Sequence, residues 1–389
     1  MSSLISSYGL PRRSFLGLAV LLAANPAFTL GDARQPIFLS AASDRDDKHW
    51  LKAFTRNNDQ LELLYSHQLN ERAHAVTLNN KADIFVTVAR RPGTSLLVGE
   101  VQSGGILQEV QAPGGRHFYG HGVFSADDNY FYTTENDYED MQGDSGRIGV
   151  WRISNTAAEA GGEIVLERVN EFASYGVGPH ELLLMPDEET LVIANGGIRT
   201  HPDLERDKLN IESMQPSLTY IDRQSGTLLE QKRLPAEFHQ ASIRHIDINA
   251  QGQIALSMQF EGEPFVRAPL VASHQRGEAI QSMLAPEQVQ SQMAQYVGSI
   301  RYDQSGRFLV ASCPRANMLT FWDVETGEFI RQLRARDACG VCAYEDGFLY
   351  SAGTGQIRYY DLIQRSVTDF TMSDDFSRGL FWDNHLVVA

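Results

Sequence analysis

A two-strand unit that recurs along the chain constrains the fold more than any other feature of the sequence. Each copy has an apolar strand, a polar turn rich in Asn, Asp and Gly, and a second apolar strand, which together predict a β-hairpin. The copies are spaced by roughly 40 to 65 residues, the range of a four-stranded propeller blade with variable loops. Seven such turns occur, at residues 79–83, 126–129, 186–190, 249–252, 303–306, 345–347 and 383–384.

The repeat predicts an all-β fold, a seven-bladed β-propeller with four-stranded blades. Third and fourth strands follow the hairpins, as at residues 319–324 and 328–333. The composition agrees, because 42% of the residues are apolar and 32 Gly, 19 Phe and 14 Tyr suit strands joined by turns. Six or eight blades are alternatives. A pair of β-sandwiches does not explain hairpins that recur so evenly.

Closure of the ring requires both chain ends. The last hairpin, at residues 381–388, stops two strands short of a blade. Residues 50–54 and 61–65 are predicted to supply the third and fourth strands, whereas residues 37–40 duplicate a second strand and are ambiguous. Pairing of the N- and C-terminal segments would remove two exposed sheet edges.

The N-terminus has the features of an export signal. Arg12-Arg13 precedes Phe15-Leu16 and an apolar run at residues 18–24, a pattern that resembles a twin-arginine signal peptide. A Sec signal or a membrane anchor is the alternative, although the run is short for a bilayer. We expect residues 1–33 to be the signal, cleaved after Ala27 or Ala33, and residues 34–389 to be one propeller domain, monomeric and periplasmic, with no membrane span after cleavage.

Charge and cysteine content narrow the functional classes. The formal net charge of −16 excludes a basic nucleic-acid footprint. Cys339-Gly340-Val341-Cys342 lacks a following His, so it is not a c-type haem site. A disulfide, for which Cys313 and Cys339 are placed in adjacent blades, or buried thiols are expected in preference to a redox centre.

Four histidines carry the main functional signal. His74, His121, His180 and His245 open the first strands of four consecutive blades, and in a propeller the first strand lines the central channel. Four imidazoles on one side of a channel are suitable ligands for iron, copper or zinc. The alternative is that each is a polar cap bonded to a backbone carbonyl, and a register shift of one residue would turn a ring away. The equivalent places in the other blades are assigned to Ser299, Gly340 and Arg378.

Loops between second and third strands add polar residues at the same mouth. Glu135 is a candidate for a further metal ligand or for orienting an imidazole. Arg90 and Arg315 suit a carboxylate or a phosphate. A small polar ligand is therefore expected there, bound by Arg90, Glu135, Asn195, Gln259 and Arg315.

The chain resembles the domain of unknown function 1513 family over nearly its full length. The likeness rests on Ala89-Arg90-Arg91-Pro92-Gly93, Gly120-His121-Gly122-Val123, Gly178-Pro179-His180-Glu181-Leu182, Asn195-Gly196-Gly197-Ile198, Thr200-His201-Pro202 and Arg244-His245. Members of this family are twin-arginine-exported propellers without a settled activity. Their gene neighbourhoods, which contain imelysin-type iron-uptake proteins and a di-haem oxidoreductase, imply an iron-linked periplasmic role. A more distant likeness to nitrous-oxide reductase, which binds copper through channel histidines, does not extend to that enzyme's cupredoxin domain or its fuller histidine set.

Three functions are consistent with this pattern. The first is a periplasmic metal-binding accessory protein of iron acquisition, with iron or copper on the four histidines and periplasmic iron-uptake proteins as partners. The second is a metal-assisted enzyme acting on a small polar substrate, with a histidine or Glu135 in acid–base work. The third is a non-catalytic protein-interaction scaffold. No serine-nucleophile elbow, phosphate-binding glycine loop or dinucleotide fingerprint occurs in the sequence.

Overall fold

The computed structural model describes residues 35–155, 164–204, 207–373, 376 and 379–389. The predicted signal peptide lies outside these residues, as does Arg378. Seven antiparallel sheets form the blades, and the first strand of each contacts the first strand of the next in a closed ring. This arrangement confirms the predicted seven-bladed β-propeller with four-stranded blades.

The strands are numbered in chain order. The N-terminal strands are β1 (Ile37–Ser43), β2 (His49–Asn57) and β3 (Gln60–Leu69). Blade one contains β4 (Ala73–Leu78), β5 (Ile84–Ala89), β6 (Ser95–Glu100) and β7 (Ile106–Gln111). Blade two contains β8 (Arg116–Phe124), β9 (Tyr130–Asp137), β10 (Gly146–Asn155) and β11 (Ile164–Ala173). Blade three contains β12 (Pro179–Leu184), β13 (Thr190–Asn195), β14 (Ser217–Asp222) and β15 (Leu228–Lys232).

The remaining blades follow the same order. Blade four contains β16 (Ala241–Ile248), β17 (Ile254–Phe260), β18 (Val271–His274) and β19 (Gln281–Met283), and is followed by a short helix, α1 (Glu287–Gln292). Blade five contains β20 (Ser299–Tyr302), β21 (Phe308–Cys313), β22 (Met318–Asp323) and β23 (Glu328–Arg334). Blade six contains β24 (Ala338–Tyr344), β25 (Gly347–Ala352), β26 (Ile357–Asp361) and β27 (Ser366–Asp369). The last two strands are β28 (Thr371–Met372) and β29 (Phe381–Val388).

One turn geometry joins the first and second strands of blades one to five. In each, the fourth residue of the turn donates its N–H to the carbonyl of the first, as Ala82 does to Asn79. That fourth residue has a left-handed backbone, which costs little for Gly and is tolerated by Asn and Asp. Its φ values are 52° at Ala82, 57° at Asp128, 60° at Glu188, 76° at Gly252 and 73° at Gly306.

Blade seven closes the ring by pairing the N- and C-terminal segments, as predicted, but its individual strands differ from the prediction. Residues 381–388 form a single strand, β29, rather than a hairpin, and β29 is the innermost strand of the sheet β3-β2-β1-β29. The predicted turn at Asp383-Asn384 lies inside β29, at a register shift opposite Ala41. The ambiguous residues 37–40 belong to β1 and supply the second strand. The N-terminal segment therefore gives three strands of this blade and the C-terminal segment gives one, with β28 added in parallel at the edge of β3.

The interior is apolar, and its polar groups are largely paired. The indole N–H of Trp382 donates to the carbonyl of Gly355, and that of Trp151 donates to the Thr133 hydroxyl. The three cysteines are buried thiols, and the structure contains no bridge between Cys313 and Cys339. In the part of the chain that the structure describes, no helix is long and apolar enough to span a bilayer.

Candidate metal centre in the central channel

β-Bulges point the histidines into the channel. His74 is an extra residue between the paired residues Ala73 and Ala75, and His180 is an extra residue between Pro179 and Glu181. His121 and His245 lie in similar register shifts of β8 and β16. A bulge redirects a side chain without ending the strand. Each imidazole therefore departs from the regular alternation of side chains between the two faces of its sheet.

Hydroxyl groups on the neighbouring strands satisfy the backbone of these bulges. The Ser257 hydroxyl donates to the carbonyl of His245 and accepts from its N–H at 3.1 and 3.3 Å. The Thr134 hydroxyl donates to the carbonyl of His121. Buried backbone groups need hydrogen-bond partners. These hydroxyls replace the strand-to-strand hydrogen bonds that are lost where each bulge turns a histidine inward.

The four predicted histidines meet at one place in the channel, and His385 of β29 joins them. Centroid separations between ring pairs run from 4.5 Å for His121–His385 to 5.7 Å for His74–His245. The five side chains are at most 6% exposed. We call these five residues the histidine cluster.

His385 was missed because blade seven was assigned the wrong strand. The innermost strand of that blade is β29, so the place equivalent to the other histidines holds His385 and not Arg378. Ser299 of blade five is buried in a regular strand without a bulge. In blade six, a Cβ added to Gly340 would lie 2.8 Å from the carbonyl carbon of His385. Glycine at this position therefore allows the backbone of β29 to approach β24 closely.

Two buried carboxylates support the histidine cluster. The Asp383 carboxylate lies 2.9 Å from Nδ1 of His74 and accepts from Nε of Arg72 at 2.8 Å. The Glu181 carboxylate lies 3.4 Å from Nδ1 of both His121 and His245. Glu181 also accepts the N–H of Ile246 at 2.9 Å and lies 3.6 Å from a guanidinium nitrogen of Arg301. Such carboxylates orient imidazoles and fix their tautomers in metal sites.

Burial keeps most of these imidazoles neutral. Burial lowers the pKa of His74 to about 3, against the opposing effect of Asp383, and lowers the pKa of His245 to about 4. The pKa values of His180 and His385 are also well below the ordinary range because of burial. For Glu181, burial would raise the pKa, but His121, His245 and Arg301 outweigh it and hold that pKa well below its usual value. Neutral imidazoles and an ionised carboxylate are the protonation states that bind metal ions.

The donor set fits a metal ion. The Nε2 atoms of His74, His121, His180 and His385 are buried and have no hydrogen-bond partner among the described residues. A buried polar atom without a partner is costly, and a metal ion would satisfy these lone pairs. Two overlapping sets have ligand atoms within 4.8 Å of one another, namely His74, His121, His180 and His245, and His121, Glu181, His245 and His385.

The predicted loop residues have other contacts. The Glu135 carboxylate is buried and accepts from Arg168 and from the Thr133 hydroxyl, so its recorded partners are not histidines. The Asn195 amide donates to the carbonyl of Ser174, the Thr219 hydroxyl and the Ser217 hydroxyl. Both side chains serve the structure of blades two and three.

The other three loop residues contact Asp383 or Tyr296. A guanidinium nitrogen of Arg90 is 3.8 Å from the Asp383 carboxylate. Arg315 stacks on the Tyr296 ring at 4.5 Å, and Gln259 forms an isolated β-bridge with Tyr296. Arg244, which was not among the predicted site residues, is half-buried beside His245, and burial together with the charges of Arg91 and Arg90 lowers its pKa to about 10.

A cavity of about 410 Å³ adjoins the histidine cluster. It follows the C-terminal halves of the inner strands, and its wall includes His121, Glu181 and His385. The rest of the lining combines apolar side chains such as Val123 and Leu183 with the charged pair Asp247 and Arg301. A volume of this size holds a small ligand, which would lie next to a metal ion on the imidazoles.

Packing around His74 gives a first prediction. Gly120 has a φ of 104°, and a Cβ added to it would lie 2.6 Å from Cβ of His74. We expect Gly120→Ala to displace His74 and to lower the free energy of unfolding by about 1–3 kcal/mol, measured by urea denaturation. Gly114→Ala is the control, because an added Cβ there meets nothing within 4 Å. Equal stability of the two variants would contradict this packing.

Together, the fold and this site define a seven-bladed β-propeller with a buried histidine cluster that could hold a metal ion. The model of the family described as "Protein of unknown function (DUF1513)" matches residues 67–389. The chain therefore belongs to this family, as the motifs indicated.

Other comparisons describe the fold only. Among solved structures, the chain is similar to Kuenenia stuttgartiensis hydrazine synthase, with a TM-score of 0.54 and 14% sequence identity, covering 89% of this chain and 98% of that chain. At this identity the likeness shows a shared fold and nothing about activity. No curated protein matches the sequence.

Proposed function

We propose that this protein is a periplasmic metal-binding propeller that serves iron acquisition as an accessory protein and reaches the periplasm by the twin-arginine route. One observation carries the metal-binding part: five buried imidazoles converge, and four of them present Nε2 atoms that have no hydrogen-bond partner among the described residues. The export route is supported by Arg12-Arg13 and the apolar run that follows. The link to iron is supported by the family resemblance.

The residues have distinct parts in this proposal. The histidine cluster supplies the ligands, while Asp383 and Glu181 hold three of the rings through Nδ1 contacts at 2.9 to 3.4 Å. Nearly complete burial limits the access of competing water. Copper and zinc bind nitrogen sites more tightly than iron in general, so loading in the cytoplasm before export would favour iron.

Metal content tests the proposal. We expect the protein purified from its own export route to contain about one metal ion per chain by mass spectrometry. His121→Ala/His245→Ala removes the two histidines shared by both candidate ligand sets, and we expect it to lose that metal. His239→Ala is the control, because His239 is exposed and lies outside both sets. A metal-free wild-type protein that is fully folded would refute metal binding.

The iron role needs a test in cells. Under iron limitation, a strain that lacks this protein should accumulate less iron, and the wild-type gene but not the double variant should restore accumulation. If the double variant restores it fully, the histidine cluster is not the part of the protein that serves iron acquisition.

The adjoining cavity favours a second candidate, a metal-assisted enzyme that acts on a small polar substrate. Its 410 Å³ and its shared wall with His121, Glu181 and His385 would bring a ligand to the imidazoles. A metal ion at that place would polarise a bound substrate. Turnover of a small substrate by the metal-loaded protein, absent from the double variant, would favour the enzyme over the accessory protein.

A further inference from the structure

Five arginines gather at the end of the channel where the inner strands begin. Arg72 precedes β4, Arg90 and Arg91 follow β5, Arg315 follows β21, and Arg244 shares the bulge of β16 with His245. We call these five residues the arginine face. It is a local concentration of positive charge on a chain whose formal net charge is −16.

The arginine face is one connected structure. Asp383 links Arg72 and Arg90, with nitrogen–oxygen distances of 2.8 and 3.8 Å. The next residue, Asn384, donates its amide to the Tyr296 phenol at 3.1 Å, and Arg315 stacks on the same ring. Asp383 and Asn384 belong to the bulge of β29 that also presents His385. The bulges of β16 and β29 therefore contribute both to the face, through Arg244, Asp383 and Asn384, and to the histidine cluster.

Part of the positive charge of this face has no carboxylate in direct contact. Asp383 lies near both Arg72 and Arg90 and also contacts His74. Within the described part of the chain, Arg91, Arg244 and Arg315 have no carboxylate within 4.0 Å. Arg244 is half-buried; the like charges of Arg91 and Arg90 act on it, and Glu261 is an opposite charge beyond contact distance. A partly buried charge with no counter-ion in contact is costly, so a bound anion would stabilise the folded chain.

We propose that the arginine face binds a small oxyanion, a carboxylate or phosphate group, at Arg244, directly beside the histidine cluster. A guanidinium presents paired donors that match the oxygens of either group. The overall negative charge repels large polyanions, so the ligand is a small molecule. The site deepens the proposed function, because the anion would lie next to the bound metal ion.

The two ligands should bind cooperatively. A metal cation on the histidine cluster places a second positive charge beside Arg244, and an anion between them relieves that repulsion. By thermodynamic reciprocity, the anion then strengthens metal binding as much as the metal strengthens anion binding. We expect acetate or inorganic phosphate to raise the affinity for Co²⁺ about tenfold, within the usual range of such coupling.

Two measurements test this inference separately from the metal proposal. The first is titration of the metal-free protein with Co²⁺, followed by its visible absorption, with acetate, with phosphate and with neither. The second is thermal unfolding of the metal-free protein with and without each anion. Wild-type protein should show anion-dependent Co²⁺ affinity and an anion-dependent rise in Tm. The anion with the larger effect shows whether the site prefers a carboxylate or a phosphate group.

Arg244→Gln is the decisive variant. It should lose both anion effects and, because it removes a partly buried charge with no carboxylate in contact, it should unfold at a higher Tm than wild-type protein without anion. Arg152→Gln is the control, since Arg152 is exposed on β10 and pairs with Glu167; it should keep both anion effects.

The outcomes separate the two proposals. Co²⁺ binding without any anion effect would overturn the inference and leave the metal site standing. An anion-dependent Tm without Co²⁺ binding would refute the metal proposal and retain the anion site. Anion effects that persist in Arg244→Gln would also overturn the inference.

Discussion

A chain that ends at Leu380 should fail to form a stable propeller. The deletion removes β29, which is the innermost strand of blade seven and pairs with β1. Loss of β29 removes its contacts with both β24 and β4, the inner strands of the two neighbouring blades, and so opens the ring. It also leaves the paired edge of β1 without its partner.

The expected effect is larger than most domains tolerate. Trp382 and Leu386 are 3% and 1% exposed and pack in the core between blades six and seven. Losing side chains of this kind costs roughly 3–5 and 2–5 kcal/mol, which together approach the whole stability of a typical domain at about 5–15 kcal/mol. The unpaired edge of β1 should in addition promote aggregation.

Circular dichroism and size-exclusion chromatography check this prediction. The truncated chain should lack a cooperative thermal transition, and a synthetic peptide of residues 381–389 added in trans should restore one. Trp382→Phe is the matched control, since it keeps β29 and most of the buried ring and should unfold cooperatively at a lower Tm. A truncated chain with the Tm of the full chain would show that β29 does not close the ring.

The blades could be predicted from the sequence because each hairpin is encoded locally. The turn geometry shared by blades one to five depends on residues three positions apart, such as Asn79 and Ala82, and it marks the strands on both sides. Blade seven lacks this local signal. Asp383-Asn384 has the composition of a turn, but the carboxylate of Asp383 is used by Arg72 and His74 from the next blade.

The candidate site could be predicted only in part. The channel position of His74, His121, His180 and His245 followed from their places at the start of inner strands. Their inward direction did not, because a bulge shifts the alternation by one residue and is set by pairing with the second strand. His385 could have been found by asking which residue of the last strand corresponds to the other histidines.

The residues that support the histidine cluster were harder to predict from the sequence than the histidines themselves. Glu181 directly follows His180, yet its partners are His121, His245, Ile246 and Arg301 from three other blades. The sequence shows Arg244 only as part of a motif with His245, whereas the absence of a carboxylate in contact with it is visible only in three dimensions. Contacts across a channel join residues far apart along the chain, so no local pattern reports them.

Glu181 contributes both to the stability of the fold and to the proposed metal site, so its replacement should lower both the free energy of unfolding and the metal affinity. Its carboxylate is 4% exposed and is the nearest counter-ion of Arg301, at 3.6 Å. Removing one partner of a buried charged pair typically costs about 3–5 kcal/mol, so we expect Glu181→Ala to lower the free energy of unfolding by about that amount. Two imidazoles would also lose the carboxylate beside Nδ1, and loss of such a partner lowers metal affinity by roughly 10- to 100-fold.

A second variant separates these two effects of Glu181. Glu181→Gln keeps an oxygen for the N–H of Ile246 but removes the charge, and combining it with Arg301→Met removes the arginine that loses this carboxylate, although nearby Asp247 then loses the favourable charge of Arg301. If Glu181 positions the imidazoles, the double variant should regain part of the unfolding free energy measured in urea and still bind Co²⁺ weakly. If Glu181 serves only to neutralise Arg301, stability and Co²⁺ affinity should recover together. The two quantities respond differently because stability depends on the balance of buried charge, whereas affinity depends on the tautomer and direction of the His121 and His245 rings.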